Sequence, residues 1–131
     1  LKDAPLNFSF SGLKTAVLYQ LQKLENREAH LADICASFQQ AVIDTLVKKT
    51  IRAAHESGHD TLTLSGGVAC NKALQDALQA AAQTEGIEFL LTPTALTTDN
   101  AGMIAFAGLL ASENRGPDDL AIGIDPNLAL A

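Results

Sequence analysis

Hydrophobic and polar positions divide the chain into a helical first half and a mixed second half. From Leu6 to Phe10 apolar and polar residues alternate, and Ser11-Gly12 breaks that pattern. Leu13, Ala16, Val17 and Leu21 then recur at helical spacing, which predicts a helix over Leu13 to about Leu24 with Ser11 as its N-cap. The polar stretch Glu25 to Glu28 separates it from a longer helix. There Leu31, Ile34, Cys35, Phe38, Val42, Thr45 and Leu46 make the apolar side, and Asp44, Lys48, Lys49 and Arg52 the wet one. Gly58 stands where a C-cap is expected. The second half reads as strand, helix, strand: Thr61 to Ser65, Val68 to about Thr84, and Ile87 to Leu91 after Gly86. Thr97-Thr98-Asp99-Asn100 then leads into an Ala- and Gly-rich helix reaching about Ser112, followed by a Gly116-Pro117 turn and an irregular tail.

The pattern predicts an α/β fold with a right-handed βαβ unit and parallel pairing. Two parallel strands do not make a stable sheet, and near-continuous apolar strands require cover on both faces. The expectation is therefore that residues 1–131 are the carboxyl-terminal piece of a larger protein. A hydrophobic content of 47% suffices for a core, but aromatics are only 5%, so that core is aliphatic. The net charge of −6 argues against a nucleic-acid grip made by this segment alone. Cys35 and Cys70 match no metal-ligand or redox spacing, and Cys35 lies on an apolar helical stripe that predicts a buried thiol. His30, His55 and His59 show no metal-binding spacing and read as solvated or capping residues. The chain has no apolar run long enough to span a bilayer, and a reducing cytoplasm is the expected setting.

Candidate chemistry concentrates at Leu62-Thr63-Leu64-Ser65-Gly66-Gly67-Val68-Ala69-Cys70-Asn71. A buried strand breaks at two glycines and restarts as a helix, which brings backbone N–H groups to one point where a phosphate can sit. Asn71 falls in the first turn of the expected helix, close to any ligand there. A bare strand-to-helix turn is the alternative. The Gly-Lys-Ser/Thr ending of a P-loop is absent. Asp99 reads either as an N-cap for the following helix, with Thr97 and Thr98 competing, or as a carboxylate at the loop mouth that ligates a metal. One carboxylate does not hold a metal, so further ligands would come from elsewhere. No Ser/His/Asp arrangement is present, and no catalytic residue is assigned within the chain.

Three ordered motifs carry a family resemblance. Leu62 to Ala69 resembles the adenosine motif of the actin, Hsp70 and sugar-kinase superfamily, whose fold is ribonuclease H-like. Asn7-Phe8-Ser9-Phe10-Ser11-Gly12-Leu13-Lys14-Thr15-Ala16 is similar to a signature of the tRNA adenosine threonylcarbamoyltransferase catalytic subunit. Gly66 to Asn71 and Thr98 to Ala105 resemble two further blocks of that family in the same order, and Asp119 to Leu130 resembles its carboxyl end. Members were formerly described as O-sialoglycoprotein endopeptidases, a label no residue here supports. Cys70 stands where the family usually has Ala or Ser, Thr97 where Cys is frequent, and Gly102 is a minor variation.

The resemblance implies part of an actin-like ATPase-fold lobe. It implies an enzyme that moves a threonylcarbamoyl group from threonylcarbamoyl-AMP to N6 of adenosine 37 in tRNAs reading codons that begin with A. Carried over, Gly66 and Gly67 lie against the adenylate, Asn71 hydrogen-bonds it, and Asp99 is a metal ligand. One divalent metal, iron or zinc, is implied, its other ligands being two histidines of the amino-terminal portion. Implied partners are tRNA, a non-catalytic actin-fold paralogue and a small ATPase subunit, with no membrane. Basic surface for tRNA is expected in the remainder of the protein or on those partners. Ser9, Ser11 and Lys14 are open between capping, packing and tRNA contact. The competing readings are an actin-fold ATPase or sugar kinase, and a non-catalytic assembly paralogue.

Overall fold

Helical and strand periods become the order α1 (Leu13–Lys23), α2 (Leu31–Ser57), β1 (Thr61–Leu64), α3 (Lys72–Thr84), β2 (Glu88–Leu91) and α4 (Ala101–Arg115). Short 3-10 turns lie at Glu28–His30, Gly67–Cys70 and Thr94–Leu96. The computed structural model describes residues 6–119 together with 121 and 123. Most of the segment from Asp119 to Leu130 therefore lies outside the described residues.

The two strands pair in parallel, with Leu62 opposite Phe89 and Leu64 opposite Leu91. A parallel pair needs a crossover, and α3 supplies it. Its buried residues Leu74, Leu78 and Ala82 recur every fourth position, so one stripe of the helix faces the core. Two apolar clusters join the sheet, α3 and α2. Ile43, Leu74 and Leu78 pack with Leu46, Val47, Leu64 and Phe89. Ala54, Ala82 and Ile87 pack with Ile51, Leu62 and Phe89. Gly58, at φ 70°, ends α2 in the left-handed conformation, and His59 N–H closes back on Ala54 O at 3.1 Å. His55 Nε2 meets Glu85 Oε2 at 3.0 Å, which ties the ends of α2 and α3 together.

Only one face of the sheet is covered among the described residues. On the other, Thr63 and Leu90 are exposed. Helices α1 and α4 contribute no buried residue. Helix α4 presents Met103, Ile104, Phe106, Leu109 and Leu110 as exposed large side chains. A helix apolar on every side belongs inside a larger assembly of elements. Helices α1 and α2 flank an open apolar groove of about 970 Å³, lined by Leu13, Val17, Ile34, Phe38 and Val42 among others.

Several expectations are corrected. Ser11 does not cap α1: Gly12 holds the cap position without a side-chain bond, and the Ser11 hydroxyl pairs with Ser9 at 3.2 Å instead. Cys35 is exposed because its stripe lines the open groove and not a closed core. The helix expected from Val68 begins at Lys72, since a 3-10 turn intervenes. The amino-terminal signature is held on α2 by Lys49, whose Nζ donates to Asn7 O and lies 5.5 Å from the Phe8 ring centroid.

Candidate nucleotide-binding turn

At the carboxyl end of β1 the ladder stops and the chain turns. Thr92 N–H donates to Leu64 O at 3.1 Å, the last rung between the strands. Two residues on, Gly66 N–H turns to Thr97 O at 2.9 Å. Gly66 adopts φ 91° and ψ 168°, a conformation essentially restricted to glycine. Gly67 has no positive φ, and a side chain there would meet nothing within 4 Å. The fold therefore explains Gly66 and leaves Gly67 without a structural requirement.

The single turn Gly67–Cys70 follows. Ala69 is 1% exposed, which accounts for a small residue at that position. Ala69 N–H donates to Gly66 O and Asn71 N–H to Val68 O, each at 3.0 Å. Gln75 Nε2 of α3 donates to Ala69 O at 2.7 Å and clamps the turn onto the helix. The N–H groups of Gly67 and Val68 have no acceptor among the described residues. Two consecutive unpaired donors beside a glycine are suited to an anionic oxygen.

Asn71 is the N-cap of α3 and not a residue of its first turn. Its backbone is extended, and its Oδ1 accepts from Leu74 N–H at 3.0 Å. This capping bond occupies one orphan donor of the helix. The side-chain amide donates through Nδ2 to Gln39 Oε1 of α2 at 2.9 Å. One Nδ2 hydrogen remains for a ligand. Val68, 64% exposed, and Asn71 both border the apolar groove.

Asp99 lies two residues beyond Thr97, which is bonded to Gly66. It does not cap α4. Asn100 does, its Oδ1 accepting from Met103 N–H at 2.9 Å while its Nδ2 donates to Thr98 O at 2.9 Å. Asp99 is exposed and its carboxylate makes no hydrogen bond among the described residues. Among those residues no group of three or more His, Cys, Asp or Glu is placed to hold a metal. The carboxylate offers one hard oxygen ligand, which is an incomplete donor set.

Two residues take roles that the sequence does not reveal. Thr97 is buried at 6% exposure; its hydroxyl lies within bonding distance of both Thr92 O and Pro93 O, at 3.2 and 3.1 Å. With its carbonyl on Gly66, it stitches the loop after β2 to the glycine turn. Gln39 is the second. Its signal was a polar residue set in the apolar stripe of α2, four residues after Cys35 and three before Val42.

A ligand wall at the carboxyl end of a parallel strand is where open α/β proteins hold nucleotides and other phosphate-bearing molecules. Comparison with known proteins gives the family. The family model described as tRNA N6-adenosine threonylcarbamoyltransferase matches residues 2–106, and the chain belongs to that family. A relative of that name from Thermosipho africanus is 44% identical over 124 residues, covering 95% of this chain and 38% of its own length. One from Anaeromyxobacter dehalogenans is 49% identical over 90% of this chain and 37% of its own. The Bacillus subtilis protein of the same name is 48% identical over 92% of this chain and 36% of its own. The chain thus spans little more than a third of these relatives. No helix among the described residues is long and apolar enough to cross a membrane.

Proposed function

We propose that this chain is the carboxyl-terminal portion of a tRNA N6-adenosine threonylcarbamoyltransferase and forms one wall of its adenylate cleft, within an actin-like ATPase-fold lobe. The observation that carries the reading is the pair of N–H donors at Gly67 and Val68 that have no acceptor among the described residues, set beside Asn71 in a chain of this family. The adenylate phosphate of threonylcarbamoyl-AMP accepts from that pair. The remaining Nδ2 hydrogen of Asn71 donates to the nucleotide or its acyl group. Gly67 lets the ligand approach the backbone closely, which is consistent with its lack of any other requirement.

In the transfer, N6 of the tRNA adenosine attacks the carbamoyl carbon. The bond from that carbon to the phosphate oxygen breaks, AMP departs and the amine loses a proton to solvent. Fixed N–H donors favour this step because negative charge grows on the departing phosphate. The rest of the contribution is alignment of amine and carbonyl. Asp99 is proposed as one ligand of a divalent iron or zinc whose other ligands lie outside this chain. When bound, such a metal supplies Lewis acidity. Partners are tRNA, a non-catalytic paralogue and a small ATPase subunit, in the cytoplasm.

The test uses the full-length protein with its partners. Asp99→Ala is expected to lower bound metal and abolish formation of threonylcarbamoyladenosine in tRNA while the fold is kept. Unchanged metal content and unchanged modification would overturn the metal assignment. Phosphorylation of a sugar with no modified tRNA would overturn the reaction.

A further inference from the structure

Asn71 and Gln39 are 32 residues apart in sequence yet joined by a direct side-chain hydrogen bond, Nδ2 to Oε1 at 2.9 Å. Each amide has one carbonyl oxygen and one NH2 group, so the partners of Asn71 fix its orientation. Leu74 N–H offers only a donor and therefore claims Oδ1. Nδ2 then faces α2, where it needs an acceptor, and Gln39 supplies one. The capping bond alone leaves the amide plane free to pivot about Oδ1. The bond to Gln39 uses one of the two Nδ2 hydrogens and sets the direction of the other.

We infer that Gln39 is a positioning residue for the adenylate site: its carbonyl oxygen holds the Asn71 amide so that a single N–H points at the ligand. This inference rests on the reading of Asn71 as an adenylate contact. The arrangement also makes α2 part of the site. Gln39 interrupts an apolar stripe, and it lines the same groove as Val68 and Asn71. Gln39 is exposed at the edge of the groove, and the fold adds its bond to Asn71.

A double-mutant cycle tests the idea in the full-length protein. The probe is a non-hydrolysable threonylcarbamoyl-adenylate analogue, its affinity measured by calorimetry on Gln39→Met, Asn71→Ala and the double variant. Methionine keeps the length of glutamine and removes the acceptor. Thermal unfolding of each variant establishes that the fold is retained. The expectation is an affinity loss of about three- to fivefold for Gln39→Met in the wild-type background, the scale of one partly exposed hydrogen bond. In the Asn71→Ala background the same change should cost nothing, because there is no amide left to orient. An equal loss in both backgrounds would assign Gln39 a merely structural role and overturn the inference. Full affinity for Gln39→Met beside weakened Asn71→Ala would overturn it while leaving the adenylate reading intact. Full affinity for Asn71→Ala would overturn the adenylate role of Asn71, and the inference with it.

Discussion

Adjacent glycines at the turn have different physical reasons, and substitutions separate them. Gly66 needs its positive φ, so Gly66→Ala is expected to destabilise the protein by about 1–3 kcal/mol through backbone strain, with no steric clash. Gly67→Ala should change stability by less than about 0.5 kcal/mol, because the added methyl meets nothing and the backbone accepts it. Its effect belongs to the ligand: about a tenfold loss of adenylate affinity, a cost of about 1.4 kcal/mol. Chemical denaturation of the full-length variants gives the first pair of numbers and calorimetry the last. A Gly67→Ala protein with full affinity would place the ligand away from this turn. Thr97 belongs to the same scale. Thr97→Val keeps the shape but drops the hydroxyl from Thr92 O and Pro93 O, for an expected loss of about 1 kcal/mol. An unfolding midpoint unchanged from wild type would show that the hydroxyl does not hold the loop.

Helix α3 shows what an element inherits from its cap and its stripe. Asn71 caps the helix and is proposed to contact the ligand, so Asn71→Ala mixes two expected losses. Asn71→Asp separates them in an unfolding experiment, since a carboxylate still accepts from Leu74 N–H. The alanine variant should lose about 1 kcal/mol of stability and the aspartate variant much less. Equal losses would mean that the cap contributes nothing measurable. Helical spacing predicted α1, α2 and α4 within a few residues, since period and terminating glycines are local properties. The caps of α1, α3 and α4 were harder to read. In Ser11-Gly12 and Asp99-Asn100 two polar or flexible neighbours compete, and their sequence spacing does not say which one aligns with the first free N–H.

On the scale of the molecule, apolar surface is arranged for contact with more protein than the described residues contain. One sheet face, most of α4 and the groove beside α1 are open. Exposed apolar area of this extent marks an interaction surface. The 131-residue chain on its own is therefore expected to bind a hydrophobic dye such as ANS several-fold more strongly than the full-length protein, and to self-associate in sedimentation. Equal dye binding by the two would show that these faces stay open in the complete enzyme. The acidic charge of −6 fits the same picture: a tRNA surface made mainly here would need more Lys and Arg.

By itself the sequence determined the order of elements and the parallel βαβ unit, and it singled out Gly66, Gly67, Asn71 and Asp99 as the residues proposed to carry the chemistry. Period and turn chemistry act over a few residues, and motif spacing is written along the chain. Tertiary structure alone decided which donors have a partner among the described residues, because pairing depends on residues distant in sequence. It joined Gly66 to Thr97 and Asn71 to Gln39, bonds that span 31 and 32 residues. It moved the start of α3 from Val68 to Lys72 and passed the cap of α4 from Asp99 to Asn100. It also exposed Cys35, since an apolar stripe is buried only where another element covers it.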